Sequence, residues 1–138
     1  MKLSTRSRYS VRILLELARN EDQHPLQVSE ISRRQKIPAK YIEQLIRTLK
    51  SSALISSSRG PKGGYALAVA PAQISLGQIV RLFEGQSDLV ECVGSPDKCP
   101  KAEDCPVRDA WAQANKALFE KLDTISIDDL ACTSSPVP

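Results

Sequence analysis

Histidine and aromatic side chains are nearly missing from this chain: among 138 residues there are one His, one Trp, two Phe and three Tyr. Its core must therefore be aliphatic, built mainly from Leu, Ile, Val and Ala. The single histidine, His24, is not placed to serve as base for a cysteine nucleophile, and no phosphate-binding loop is present, which argues against a catalytic thiol protein. No window approaches a membrane span. The opening Met1-Lys2-Leu3-Ser4-Thr5-Arg6 lacks the apolar run of a signal peptide. A cytoplasmic location follows as the expectation, and there thiols stay reduced, so clustered cysteines serve more often as ligands or sensors than as disulfides.

What is present is an ordinary globular composition, 41% apolar and 25% charged, with length for one domain and a real core. The net charge of +3 hides a division along the chain. Residues 1–64 carry thirteen Lys and Arg against five Asp and Glu, whereas residues 65–138 carry six against eleven. Such asymmetry fits a nucleic-acid-binding segment joined to one that does not bind, although a merely solvated surface also produces it.

Periodicity supplies the architecture. Tyr9, Ile13 and Leu17, flanked by Leu14 and Ala18, predict a helix from Ser4 or Thr5 to about Asn20, ended by a polar stretch to Pro25. A second helix is expected over Val28 to Gln35. Lys36-Ile37-Pro38 makes a tight break, because proline pushes the residue before it out of the helical region. A third helix, from Pro38 to about Ser51, buries Ile42, Leu45, Ile46 and Leu49 and turns Lys40, Glu43, Gln44 and Arg47 outward. Two short helices across a tight turn, the second with long polar side chains, form a helix-turn-helix pattern. Residues 53–58 and 65–68 then read as short strands around Arg59-Gly60-Pro61-Lys62-Gly63-Gly64. A basic, side-chain-poor tip between strands reads as a wing able to approach a duplex, with Arg59 or Lys62 entering the minor groove or pairing with phosphate.

Farther on, Ser75 and Gln78 match a capping box, Ile74 and Ile79 its hydrophobic staple, and Gly85 a helix stop, predicting a helix over Leu76 to Glu84 that packs Ile79, Leu82 and Phe83 on the winged core. Cys92, Cys99 and Cys105 follow in one polar, turn-rich loop with six and then five residues between them. Soft thiolates at short spacing suit an iron–sulfur cluster, zinc or copper, and equally a set of redox thiols. Cys105 stands beside Pro106 at the start of the last long helix, where the dipole favours thiolate.

Lys2 to Tyr9, Tyr41-Ile42-Glu43-Gln44-Leu45, Arg59 to Tyr65 and the cysteine loop leading to Trp111 together resemble the IscR and NsrR family of bacterial winged-helix regulators over nearly the whole chain. The resemblance implies a homodimer on partly palindromic promoter DNA. It implies DNA contacts from Ser4, Arg6, Lys40, Tyr41, Glu43, Gln44, Arg59, Lys62, Gly63 and Gly64. It also implies an iron–sulfur cluster, of two-iron or four-iron type, on Cys92, Cys99 and Cys105. Gln44 has the geometry to pair with adenine, while Glu43 can accept from cytosine and reject other bases, or simply pair with Arg47 on the helix surface. No fourth ligand is supplied by the motif. Where some relatives have histidine after the last cysteine this chain has Arg108, and where others have a carboxylate from the partner subunit it has Arg8. Glu91, Asp97, Glu103, Asp104, Cys132 or a small molecule remain candidates.

Val107, Trp111, Ala114, Leu118 and Leu122 are spaced as a coiled-coil seam, which predicts that the last long helix dimerises. Ser126 and Asp129 match a second capping box before a short terminal helix. The expected fold is mainly α with a small β wing. Its organisation is a winged helix-turn-helix over residues 1–72, a connecting helix and cysteine sensor loop over 73–105, dimerisation and terminal helices over 106–131, and a tail over 132–138. A DNA-binding regulator modulated by a cluster or by redox state is the leading function. A cluster-free thiol-redox repressor and an iron–sulfur carrier are the alternatives, the carrier having no need of a wing.

Overall fold

Helix α1, Thr5–Arg19, starts where Ser4 turns its hydroxyl back to accept the Ser7 amide at 3.3 Å. This is an N-cap in the usual sense, satisfying a donor that the first helical turn leaves free. The computed structural model describes residues 2–21, 24–85 and 88–133. α1 buries Ile13, Leu14 and Leu17 on one face. Helix α2, Val28–Gln35, and helix α3, Ala39–Ser51, meet at Lys36, which takes the left-handed conformation (φ 54°) that a tight helix exit needs. Pro38 caps α3 from just outside rather than opening its first turn. Ile42, Leu45, Ile46 and Leu49 are buried, as their spacing predicts.

The two wing strands, β1 at Ile55–Ser58 and β2 at Gly64–Leu67, pair antiparallel with Ile55 opposite Leu67 and Ser58 opposite Gly64. Leu26 adds a third, single-residue rung, exchanging backbone hydrogen bonds with Tyr65 at 2.9 and 2.7 Å. The wing is thereby pinned to the linker between α1 and α2. The sequence carries no local sign of that pairing.

Helix α4, Leu76–Glu84, is capped by Ser75, whose hydroxyl accepts the Gln78 amide at 3.1 Å. The staple forms too, since Ile74 and Ile79 are both fully buried. Beyond it, the expected turn-rich segment is formed by helix α5 at Glu91–Gly94 and the single turns Pro96–Lys98 and Ala102–Asp104. Helix α6, Pro106–Thr124, runs 19 residues with none buried, and helix α7, Ile127–Ala131, carries the complete Ser126–Asp129 capping box. Ile127 enters the same core as Ile13, Ile79 and Phe83. α7 is tied down further by Arg19, which donates to the Leu130 and Thr133 carbonyls at 3.1 Å each. The part of the tail from residue 134 on lies outside the described residues, and Cys132 closes α7. Among the described residues no helix is long and apolar enough to cross a membrane.

Candidate DNA interface and cysteine loop

On α3, Lys40, Glu43, Gln44 and Arg47 are three, four and seven residues apart and all exposed, so they share one outward face. Among the described residues no ion pair joins Glu43 to Arg47, so the helix-surface pairing weighed for Glu43 is not formed. Tyr41 differs from its neighbours. Its ring is half-buried and meets Tyr9 edge-on, centroids 5.8 Å apart, and Arg12 stacks 5.1 Å over the other ring. Arg12 also donates to the side chain and the carbonyl of Gln35, which in turn donates to Glu16 at 2.6 Å. This chain of polar contacts locks α1, α2 and the base of the reading helix together.

At the wing tip Arg59 and Lys62 are exposed. Gly63 and Gly64 sit behind them in tight quarters. A Cβ on Gly63 would lie 2.3 Å from the Ser58 carbonyl oxygen, and Gly64 (φ 154°) has its back against Leu26. Their smallness lets the hairpin close and stay thin. Part of the basic charge is already spent internally: Arg33 and Arg34 bond to Glu30 at 2.6 and 2.7 Å and hold its carboxyl down at about 2. These two arginines therefore present less field to a phosphate backbone than their number implies.

The N-terminal arm is held by a residue the sequence reading did not single out. Glu84 Oε1 accepts the Ser4 amide at 2.9 Å, the Ser4 hydroxyl at 2.5 Å and the Ser7 hydroxyl at 2.6 Å. A faint signal existed, because a carboxylate at a helix C-terminus opposes the helix dipole and calls for a compensating contact. The Ser4 hydroxyl, then the Ser7 hydroxyl and the Ser4 amide, hold the Glu84 carboxyl below its ordinary 4.5. Their contribution to stability is complete above that value and is lost as pH falls through the lower folded value. Thermal melts should accordingly show a constant gap between wild type and Glu84→Gln from about pH 8 to about pH 5, narrowing in more acid solution. A gap that widened with acid would contradict these contacts.

In the cysteine loop, Cys92, Cys99 and Cys105 are free and partly exposed. Cys105 is the N-cap of α6, with Pro106 in the first turn and no side-chain cap bond. Arg108, one turn into α6, reaches back and donates from Nε to the Cys92 carbonyl at 2.8 Å. First and last cysteine are thus linked through the residue that replaces a histidine. Among the described residues no three of His, Cys, Asp and Glu stand close enough to share an ion. His24 and Arg8 are exposed on other elements, and the Glu91 side chain lies outside the description. Cys132 is separated from Cys105 by the length of α6, whose 19 residues rise roughly 28 Å, with the short α7 after it.

A groove of about 860 Å³ separates α5 from α4 and α6, with Arg81, Asp88, Asn115, Phe119 and Asp123 on its walls. Arg81 grips Asp123 through two bonds of 2.7 and 2.8 Å and lies 4.8 Å over Phe119. Asn115 accepts the Leu89 amide and donates to Asp88, both at 3.0 Å, pinning the start of the cysteine segment to α6. Beside that face, a neighbouring stripe of α6 stays partly uncovered. Trp111 is 45% and Val107 56% exposed, with Ala114 exposed and Leu118 and Leu122 half-buried beside them.

The family described as Rrf2, iron-dependent transcriptional regulator, matches residues 3–133. This chain belongs to the Rrf2 family. The rrf2 protein of Nitratidesulfovibrio vulgaris is 39% identical over 138 residues, which cover 100% of this chain and 92% of that relative. Among solved structures, CymR of B. subtilis, described as its global cysteine regulator, is similar with a TM-score of 0.81 and 32% identity, covering 98% of this chain and 99% of that one. IscR of T. potens is similar with a TM-score of 0.78 and 30% identity, covering 98% and 89%. The IscR-type resemblance and the winged-helix fold are borne out. The Rrf2 chain is a DNA-binding transcriptional regulator and not an enzyme.

Proposed function

We propose that this Rrf2 regulator acts in the cytoplasm as a homodimer on pseudo-palindromic, double-stranded promoter DNA, and that an iron–sulfur cluster on Cys92, Cys99 and Cys105 modulates its binding. One junction carries the reading: Cys105 caps α6, and α6 is the helix whose Val107 and Trp111 stripe its own subunit leaves uncovered. The donor set suits the group, being three free, part-exposed thiols within fourteen residues of chain, with Arg108 unable to be a fourth ligand. When bound, the cluster supplies three Fe–S bonds that respond to iron supply and oxidation state. Because the three thiols do not stand together here, holding one cluster would require residues 92–105 to bring them closer. That rearrangement would act on the first turn of α6 at Cys105 and on the Arg108 bond to Cys92, and through them on the angle between two α6 helices and the spacing of two reading helices.

On the DNA, Lys40, Gln44 and Glu43 face the major groove, with Gln44 suited to adenine and Glu43 to cytosine. Arg59 and Lys62 carry the wing contact, Gly63 and Gly64 keep its tip thin, and Tyr41 shapes the reading surface from beneath. Ser4 and Arg6, at the N-terminal end of α1, meet the phosphates. Neutralising several phosphates per subunit makes binding fall steeply with salt, by about a thousandfold between roughly 50 and 200 mM. A flat salt response would sink the DNA reading. Anaerobic protein should be brown, with iron and sulfide that vanish when all three loop cysteines are replaced by alanine.

Arg108 in the histidine position favours a second reading, a cluster-free thiol-redox repressor. Colourless, iron-free protein whose operator affinity responds to oxidant would establish it instead.

A further inference from the structure

Glu84 joins two parts of the molecule that are 80 residues apart in the chain. Its Oε1 gathers three donors from the first turn of α1, and Ser7 among them is 1% exposed, so the contact is built into the packing and is not a surface accident. The carboxylate thereby stands at the N-terminus of α1, where the helix dipole favours negative charge, and shares the capping of that helix with Ser4. The residue before it, Phe83, lies under the exposed Arg6, whose guanidinium is 5.5 Å from the ring centroid. The residue after it, Gly85, has φ 70° and open space around it, and it turns the chain toward the cysteine segment. The last two residues of α4 therefore hold Ser4 and Arg6, the N-cap and second residue of α1, at the point where the linker to the cysteines begins.

We propose that Glu84 is a positioning residue for operator binding, fixing the N-terminal end of α1 so that Arg6 meets the DNA backbone, and that movement of the cysteine segment reaches that end through it. The second half rests on the cysteine loop acting as the sensor. Charge alone would give the opposite effect, because removing a carboxylate beside a polyanion strengthens attraction. The sign of the change therefore separates positioning from electrostatics.

The experiment measures operator affinity and its salt dependence by fluorescence anisotropy on full-length wild type, Glu84→Ala, Glu84→Gln, Arg6→Ala and the Glu84→Ala/Arg6→Ala double variant, with thermal melts beside each. Glu84→Ala should weaken binding about tenfold and reduce the salt slope by about one, as loss of one phosphate contact does. Glu84→Gln keeps an acceptor oxygen for the serines and should recover most of the affinity. The double variant should bind no worse than the weaker single variant, since both remove one contact. Affinity at or above wild type in Glu84→Ala, a lowered melting temperature with an unchanged salt slope, or losses that multiply in the double variant would overturn the positioning role. For the sensor half, replacing the three loop cysteines should shift wild-type affinity but leave Glu84→Ala unmoved; equal shifts would overturn the coupling. Failure of wild type to bind any operator would instead remove the proposed function, a result distinct from each of these.

Discussion

Trp111→Glu is expected to turn the protein into a folded monomer that has lost nearly all operator affinity. Trp111 is not part of the buried core, and α6 holds the rest of the chain through Arg108, Asn115, Phe119 and Asp123. Its melting temperature should therefore stay within a few degrees of wild type. Covering a half-exposed Trp removes roughly 100 Å² of apolar surface per copy, about 2–3 kcal/mol, and a symmetric contact counts it twice. A buried carboxylate without a partner adds a penalty of its own. Dimer dissociation should rise at least about a thousandfold, and a monomer reading one half-site loses the linkage between two reading helices. Sedimentation equilibrium with anisotropy on the same samples checks this. A variant that stayed dimeric would show that the α6 stripe is not the interface.

Gly64→Ala should cost about 3 kcal/mol or more and release the wing. Its φ of 154° is one that side-chain-bearing residues rarely adopt, and a Cβ there would lie 2.4 Å from the Leu26 carbonyl oxygen and 2.6 Å from its carbon. Backbone gives way only by moving. The obvious escape breaks both Leu26–Tyr65 hydrogen bonds and frees the hairpin from the α1–α2 linker. Gly60→Ala is the control, having positive φ (103°) but nothing within 4 Å of the new atom, so it carries conformational strain without the clash. Urea denaturation should separate the two variants by about 2 kcal/mol, with operator affinity falling alongside in Gly64→Ala. Equal stabilities would mean that the Leu26 rung is not part of the folded wing.

Several elements were legible because their instructions are local. The Ser75 and Ser126 caps, the Ile74–Ile79 staple, the apolar rows of α1 and α3 and the glycine-rich hairpin each lie within one or two turns of chain. Their boundaries fall within a residue or two of expectation. The outward face of α3 was equally readable, apart from Tyr41, whose inward turn depends on Tyr9 arriving from α1. The cysteine segment was legible only as a turn-rich loop, because its helical turns of three or four residues are too short to leave a periodic signal.

From its sequence alone, then, came the winged helix-turn-helix, the unequal charge of its two halves, the three thiols leading into a long helix and that helix's apolar stripe. All depend on spacing within a segment, which the 3.6-residue helix and two-residue strand repeats convert directly into faces. Tertiary structure decided what meets those faces: Glu84 with Ser4 and Ser7, Arg81 with Asp123, Leu26 with Tyr65, Arg108 with Cys92, and Ile127 in the shared core. Each partner comes from a different element, and its identity follows from how whole helices dock. No short-range pattern records which carboxylate of the eleven in residues 65–138 will end at the N-terminus of α1; only the packing of α4 across it does.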